Sequence, residues 1–350
     1  MKIIQISPYF PPHVGGVEYH VKELAEGLVK RGHHVSVASS CGRWTGELVI
    51  IPSIDLFYSP MPIRIPNLDA DVLHSHIPSP LFAFMLRHQS PHVVTYHNDV
   101  IIPEMVNGHA LPRPFGTTLE KINEKMVRPV LDEAEIVIAT TKSYAETSPI
   151  LKDYIDKLRI VPNAVNVSLY PKDREKKNYV LYAGRMVSYK GIESLLFAMK
   201  EVQKRIDLEL VLMGDGADRS SLELMAAQLG LKARFAGRLE RSMFIDTISR
   251  AEMLVLPTQS RLEAFGIVLL EAMACETPVL AFDTPGVNEI ALNGGCVYSS
   301  IDELAGLIQE LHEDEAKRQM MGRKGRKAVE EIYSWKSALD LMESVYREVA

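Results

Sequence analysis

Short apolar runs rich in valine, isoleucine and leucine alternate with amphipathic segments along the chain. The first run, "KIIQIS", precedes a segment with one helical stripe of apolar side chains that Gly32 closes. The stripe consists of Val17, Val21, Leu24 and Leu28. Runs that are apolar at nearly every position are typical of parallel strands covered on both faces. The pattern therefore predicts an α/β fold built from doubly wound parallel sheets.

The alternation restarts halfway along the chain, which indicates two domains. Further strands are predicted at "HHVSVAS", "DVLHSH", "HVVTYH", "EIVIATT" and "LRIVPN" in the first half, and at "YVLYAGR", "LELVLMG", "ARFAGR", "MLVLPT" and "PVLAF" in the second. The charged run "YPKDREKKN" at 170–178 lacks periodicity and marks the boundary. We predict domains at 1–169 and 170–332, a last helix at 333–350, and a cleft facing the carboxyl ends of both sheets.

The composition is that of an ordinary globular protein, with 350 residues of which 47% are hydrophobic and 24% charged. A formal net charge of -6 offers no basic footprint for nucleic acid. Three scattered cysteines, Cys41, Cys275 and Cys296, are interpreted as reduced thiols. The N-terminal run meets proline too early for a signal peptide, and no apolar run reaches the roughly 18 residues of a membrane span. We expect a cytoplasmic protein.

Ligands of open α/β sheets bind at the carboxyl ends of the strands, so the residues that follow each strand are the candidates. Gly15 and Gly16 lie where the first helix begins and either let a phosphate approach its N-terminus or supply a turn with positive φ. They do not form a dinucleotide fingerprint. His97 follows "VVTY" and either donates a hydrogen bond into the cleft or is a structural histidine.

Two cations, Arg185 and Lys190, follow the strand "YVLYAG" in the second half. Their position at the mouth of a loop that leads into a helix suits an anion with two phosphates. The alternative is a pair of solvated surface charges.

Two glutamates, Glu263 and Glu271, lie eight positions apart in the apolar stretch "SRLEAFGIVLLEAMACETPVLAF". A helix is predicted from about Ile267 to Ala274, so its first amides favour a phosphate. Glu271 then lies roughly 7 Å along the helix, a spacing that suits the ribose of a nucleoside diphosphate. Glu263 precedes the helix and suits a polar group on the distal phosphate.

The sequence predicts no metal site and no cofactor. His74 and His76 share a strand face but have no third ligand nearby in sequence. Asp69 and Asp71 form a D-x-D pair, but they precede the strand "VLHSH" and so belong to the wrong edge of the sheet.

With these residues in place, the chain resembles the retaining glycosyltransferases of family 4, which have the GT-B fold. The resemblance spans nearly the full length. Its motifs are "GGVEYH" at 15–20, "TYHND" at 95–99, "YAGRMVSYKG" at 182–191, "MGDG" at 213–216 and "EAFGIVLLEAMACETPVLA" at 263–281. It implies Rossmann-like domains, the first for the acceptor and the second for a nucleotide sugar, and a last helix that crosses back to the first domain.

The resemblance also implies a role for each candidate residue. Gly15 and Gly16 approach the distal phosphate, while Arg185 and Lys190 hold the diphosphate. Glu271 binds the ribose, and Leu239 borders the base. The donor sugar and phosphate are held by Glu263 and by the backbone of Ala264, Phe265, Gly266 and Ile267. His97 lines the sugar site and assists transfer, so the implied catalytic residues are His97, Arg185, Lys190 and Glu263.

The expected function is metal-independent transfer of a sugar, with retention, from a nucleoside diphosphate sugar to a hydroxyl of a glycan, a lipid-linked molecule or a small molecule. The alternatives are a sugar-nucleotide epimerase and a non-catalytic module that binds nucleotides or glycans. The amphipathic segment 119–131 could contact an anionic membrane. Packing on its own sheet is favoured, because Glu120 and Glu124 interrupt its basic face.

Overall fold

The computed structural model describes residues 1–13, 15–55, 59–77, 79–89, 91–102, 105–106, 109–110 and 112–350. The chain divides into two compact units. The N-terminal unit comprises the described residues within 1–102 and 112–163, together with Trp335–Ala350. The C-terminal unit holds Ala164–Ser334 and two short strands, β8 (Met105–Val106) and β9 (His109–Ala110).

The N-terminal unit is built on a seven-stranded sheet. Every neighbouring pair in this sheet is parallel. Its strands, in spatial order, are β11 (Leu158–Ile160), β10 (Ile136–Ala139), β7 (His92–Tyr96), β6 (Val72–Ile77), β1 (Lys2–Ile6), β2 (His34–Ser39) and β3 (Glu47–Ile50). A separate antiparallel pair is formed by β4 (Ser53–Asp55) and β5 (Pro60–Pro62).

The helices of this unit are α1 (Gly16–Lys30), α2 (Leu81–Leu86), α3 (Arg113–Glu133), α4 (Lys142–Thr147) and the C-terminal helix, which is α12 (Trp335–Val349). The predicted stripe of α1 packs into the core, and Gly32 follows the helix with φ +87°. A β-carbon on Gly27 of α1 would lie 2.6 Å from Leu339 Cδ1, so the two helices pack closely. Arg31 pairs with Asp340 at 2.6 Å and fastens the same contact.

The C-terminal unit is built on a six-stranded sheet in which every neighbouring pair is again parallel. Its strands, in spatial order, are β14 (Ala233–Gly237), β13 (Glu209–Met213), β12 (Lys177–Ala183), β15 (Ala251–Leu256), β16 (Val279–Phe282) and β17 (Gly295–Tyr298). Its helices are α5 (Ile192–Gln203), α6 (Arg219–Gln228), α7 (Arg241–Arg250), α8 (Ile267–Ala274), α9 (Val287–Ala291), α10 (Ile301–Glu313) and α11 (Glu315–Glu331).

Burial explains why these segments form parallel strands. All six residues of β15 are buried, and the strand lies in the interior of its sheet between β12 and β16. A strand with helices on both faces needs apolar side chains on both faces, which gives the continuous runs seen in the sequence. The prediction of two doubly wound parallel sheets is confirmed.

The sequence patterns missed β3 and β17, which lie at the edges of the two sheets. Both are four residues long, and only one residue of either strand, Tyr298, is buried. An edge strand is partly solvated, so its apolar signal is weaker. Among the described residues, no helix is both long and apolar enough to span a bilayer.

Candidate active site

Three loops pack against one another at the carboxyl edge of the C-terminal sheet. They follow β12, β13 and β14 and are joined by backbone hydrogen bonds, with Gly214 N donating to Gly237 O at 2.8 Å and Met186 N donating to Asp215 O at 2.9 Å. Gly214 has φ +127°, and a β-carbon there would collide with the carbonyl oxygen of Gly184. The "MGDG" motif is therefore glycine-rich because two loops touch backbone to backbone.

The central feature of this edge is an ion pair between Lys190 and Glu263. Both side chains are largely buried, with 11% and 18% of their surface exposed. Lys190 ends a 3-10 turn, Ser188–Lys190, and Gly191 (φ +64°) starts α5. A β-carbon on Gly191 would lie 2.8 Å from Pro257 O, so this turn packs against the loop that follows β15. The fold thus brings together two predicted site residues that are 73 positions apart.

Arg185 and Lys190 flank the ring of Tyr189. The Arg185 side chain donates to the Tyr189 hydroxyl at 2.8 Å, and the Lys190 Nζ lies 5.3 Å from the ring centroid. Arg185 is exposed, whereas Lys190 is buried. The interpretation of two solvated charges is therefore wrong for Lys190, and Tyr189 is a neighbour of both candidate residues that the sequence reasoning missed.

Helix α8 spans the predicted residues, Ile267–Ala274, and starts from Gly266 at φ +76°. Ala264 and Phe265, which precede the helix, are both buried. Glu263 precedes the helix and Glu271 lies in its second turn, as the spacing predicted.

Glu271 is held by two side chains from elsewhere in the chain. Its Oε1 accepts hydrogen bonds from the Tyr170 hydroxyl at 2.9 Å and from the Arg241 guanidinium at 2.7 Å. Arg241 also contacts the Tyr170 hydroxyl, and Arg326 donates to the Tyr170 carbonyl at 3.0 Å. Burial and then the charge of Glu271 raise the pKa of Tyr170, so its hydroxyl stays protonated and donates.

Leu239 follows β14 and is half-buried against the same apolar core that contains Phe265 and Leu269. Its side chain therefore belongs to the carboxyl edge of the C-terminal sheet, where it was predicted to border a base.

In the N-terminal unit, Gly15 caps α1 in an extended conformation, with φ −167°. The alternative of a turn that needs positive φ is therefore wrong for this residue. A β-carbon on Gly15 would collide with the carboxylate of Glu18. The Oε1 atom of this carboxylate lies 2.9 Å from His13 Nδ1. A carboxylate thus lies over the start of α1 at Gly15 and Gly16, where the sequence predicted a phosphate.

His97 is buried after β7, with 8% of its surface exposed. Its Nε2 lies 3.0 Å from His76 Nδ1, and its ring packs edge-on against His20, with the centroids 5.2 Å apart. Burial, followed by the neighbouring His20 and His74, lowers the pKa of His97 well below its usual value. The ring is therefore neutral at physiological pH.

The two sequence features rejected as metal ligands have other partners. Lys2 of β1 donates its backbone N–H to Asp71 at 2.7 Å and its ammonium to Asp69 at 3.0 Å. His74 and His76 belong to a buried hydrogen-bond network. Within the described part of the chain, no group of three or more histidine, cysteine, aspartate or glutamate side chains is arranged to hold a metal ion.

Comparison with known proteins assigns both halves of the chain to one class. Residues 14–169 match "Glycosyltransferase Family 4", and residues 171–328 match "Glycosyl transferases group 1". An uncharacterized glycosyltransferase of Methanocaldococcus jannaschii is 28% identical, over 99% of this chain and 98% of its own. The D-rhamnosyltransferase WbpZ of Pseudomonas aeruginosa is 27% identical, over 89% of this chain and 83% of its own.

Solved structures with a similar fold are also known. The crystal structure of Anabaena HepE in complex with UDP superimposes with a TM-score of 0.77 over 100% of both chains, at 17% identity. A glycosyltransferase from Rickettsia africae has the same fold, with a TM-score of 0.75 over 99% of this chain and 97% of its own, at 18% identity. With family matches over both halves, the chain belongs to glycosyltransferase family 4 and is a GT-B glycosyltransferase.

Proposed function

We propose that this enzyme transfers a sugar from a nucleoside diphosphate sugar to an acceptor hydroxyl, with retention of anomeric configuration and without a divalent metal. The observation that carries the proposal is the largely buried ion pair of Lys190 and Glu263 beside the N-terminus of α8. A buried lysine next to the first backbone amides of a helix is a site for an anion, and a neighbouring carboxylate suits sugar hydroxyls.

On donor binding, the two partners of the ion pair would turn to different parts of the ligand. Lys190 donates to the distal phosphate together with the amides of Gly266 and Ile267, while Glu263 accepts from hydroxyls of the donor sugar. Arg185 reaches the diphosphate from the exposed side of Tyr189. The loop and the helix start already bring these groups together, so donor binding requires only that the paired side chains turn apart.

The ribose is assigned to Glu271, and the base to the surface beside Leu239. Both hydrogen bonds that hold Glu271 end on Oε1. A carboxylate has two acceptor oxygens, so Oε2 would accept from the ribose while Tyr170 and Arg241 keep the group oriented.

In the transfer step, the bond between the anomeric carbon and the phosphate oxygen breaks while a bond to the acceptor oxygen forms on the same face of the sugar. The leaving phosphate oxygen takes the acceptor proton. Lys190, Arg185 and the α8 amides stabilise the charge that grows on the diphosphate, usually the largest catalytic contribution. These cations would replace a metal ion, and His97 would contact the sugar.

A nucleotide donor is supported by the similar fold of Anabaena HepE, whose crystal structure contains UDP. The test is to incubate the protein with UDP-, GDP- and ADP-sugars and a mixture of glycan and lipid-linked acceptors, with and without EDTA. The expected result is release of one nucleoside diphosphate that depends on an acceptor and is unchanged by EDTA, with a product of the same anomeric configuration by proton NMR.

Four other results would contradict the proposal. A changed nucleotide sugar in the absence of acceptor would indicate an epimerase. Tight binding without turnover would indicate a non-catalytic module. A product of inverted configuration, or loss of turnover in EDTA, would overturn the mechanism while leaving the transferase in place.

A further inference from the structure

A chain of buried polar side chains runs from the C-terminal helix to His97 within the N-terminal unit. The Gln5 Nε2 donates to the Tyr346 hydroxyl at 2.8 Å, Gln5 Oε1 lies 2.7 Å from His76 Nε2, and His76 Nδ1 lies 3.0 Å from His97 Nε2. All four side chains are buried, and Gln5 and Tyr346 are completely so. They come from β1, β6, the end of β7 and α12.

The orientation of the Gln5 amide, with Nε2 toward Tyr346 and Oε1 toward His76, sets where each proton of this chain lies. Gln5 Oε1 is an acceptor, so His76 Nε2 must carry a proton and donate it. A neutral imidazole has one N–H, so His76 Nδ1 is an acceptor. His97 Nε2 therefore carries the proton of its ring and donates to His76. The remaining nitrogen of His97, Nδ1, then has a lone pair and no proton.

The same orientation of the Gln5 amide sets the protons of a second branch. The Tyr346 hydroxyl accepts from Gln5, so its own proton is available to His74 Nδ1, which lies 2.7 Å away. His74 Nε2 then carries a proton and faces Thr95 Oγ1 at 2.7 Å. Burial lowers the pKa of His74 and of His76 well below the usual value, which keeps both rings neutral and allows each only one N–H.

We propose that Tyr346, Gln5 and His76 are positioning residues that lock His97 in the Nε2–H tautomer, so that Nδ1 accepts a hydrogen bond from a hydroxyl of the donor sugar. The assignment of that hydroxyl rests on the proposed function, whereas the tautomer does not. His97 is then an acceptor toward the substrate, the opposite of the donor that its position in the sequence suggested. The C-terminal helix α12 thus influences His97 through the hydroxyl group of Tyr346.

The direct test is nitrogen NMR of the wild-type enzyme with ¹⁵N-labelled histidine near pH 7.5. Long-range proton–nitrogen correlations distinguish a protonated from a bare ring nitrogen, and the His97→Asn spectrum assigns the signals. The expected result is a protonated Nε2 and a bare Nδ1. A protonated Nδ1 on His97 would overturn the proposal, whether or not the protein transfers sugar.

The role of the helix is tested with Tyr346→Phe, which keeps the ring and removes the hydroxyl. We expect His97 to populate both tautomers, and kcat to fall about tenfold with KM for the acceptor unchanged. Tyr298→Phe is the matched control, because the Tyr298 hydroxyl is buried and has no hydrogen-bond partner among the described residues. An unaltered His97 spectrum in Tyr346→Phe would show that the helix does not set the tautomer, and a wild-type enzyme without turnover would refute only the proposed function.

Discussion

At the scale of single residues, the candidate site depends on buried charges that hold one another. Lys190 is only 9% exposed, and burying a lysine costs several kcal/mol unless it is paired. Glu263 offsets that cost in the ligand-free enzyme, as Arg241 and Tyr170 do for the carboxylate of Glu271. Each acid is thus held in a fixed orientation before the donor arrives.

Replacing Lys190 with alanine should lower kcat/KM by about a hundredfold or more, because one preorganised donor to the leaving diphosphate is lost. Steady-state kinetics measure the effect. Lys204→Ala is the matched control, since Lys204 is an exposed lysine of the same unit that pairs with Glu201. A thermal melt of the double variant Lys190→Met, Glu263→Gln checks that loss of the pair itself leaves the fold intact. Kinetics within a fewfold of the wild type would refute the role of Lys190.

Replacing Tyr170 with phenylalanine should raise KM for the donor roughly five- to tenfold and leave kcat nearly unchanged. The hydroxyl orients Glu271, and its loss weakens binding of ground state and transition state alike. Tyr179→Phe is the control, because Tyr179 is buried in the same core and its hydroxyl donates to the carbonyl of Thr247. An equal change in both variants would mean that the effect is one of packing.

At the scale of elements, the helix starts that follow β12 and β15 depend on glycines in the left-handed region. Gly191 at φ +64° starts α5, and Gly266 at φ +76° starts α8. Each brings a helix N-terminus to the carboxyl edge of the sheet, where its amides have no partner within the helix. The function of these elements is therefore tied to two backbone positions that other residues adopt only with strain.

Gly266→Ala should destabilise the protein by more than the roughly 1 kcal/mol of a left-handed alanine. The added β-carbon would lie 2.8 Å from Leu256 Cδ2. Relieving this collision would shift the start of α8, which should also weaken donor binding. Gly230→Ala is the control that has the backbone strain without the steric collision. Gly230 also has a positive φ, +70°, but no atom lies within 4 Å of the added carbon. Thermal denaturation and donor titration of both variants measure the difference. Identical losses in the two would contradict a role for close packing at this helix start.

The sequence predicted those elements that have a local signal. The apolar run around Glu271 and the glycine before Ile267 define α8, and the apolar runs define the interior strands. Tyr170 and Arg241 could not be found in this way, because their roles arise from contacts between distant segments: Tyr170 meets Glu271 across 101 positions. Tyr189 was missed although Arg185 is only four positions away, because the sequence pattern drew attention to the charges and not to the ring between them. The polar network behind His97 was missed for the same reason, since Gln5 and Tyr346 are 341 positions apart.

At the scale of the whole molecule, the two units differ in how they use titratable groups. The N-terminal unit buries five histidines, His20, His74, His76, His92 and His97. The charged groups of the candidate donor site, by contrast, are lysine, arginine and glutamate of the C-terminal unit. We therefore expect the stability of the N-terminal unit to be the more sensitive to mild acid.

Burial lowers the pKa of His20 and of His92 to about 4, whereas in the unfolded chain each titrates near 6.5. The unfolded chain thus binds more protons between these values, so stability is complete above about pH 6.5 and is lost as the pH falls toward 4. Each of these two histidines should lower the free energy of unfolding by about 2 kcal/mol between pH 7 and pH 5.

Urea unfolding followed by tryptophan fluorescence measures this loss, because both tryptophans, Trp44 and Trp335, belong to the N-terminal unit. His92→Gln should flatten the dependence on pH. An unfolding midpoint that is the same at pH 7.5 and pH 5 would contradict the burial of neutral histidines.

The central claim is that Lys190 and the start of α8 hold the distal phosphate of a nucleotide donor. Calorimetric titration of the wild type with each nucleoside diphosphate and its monophosphate tests it most directly. For the base that the enzyme accepts, we predict that the second phosphate tightens binding roughly ten- to hundredfold, in line with one or two charge-assisted hydrogen bonds. In Lys190→Ala, the affinity for the diphosphate should exceed that for the monophosphate by only a fewfold. Equal affinity for diphosphate and monophosphate in the wild type, or an undiminished advantage in the variant, would contradict the account.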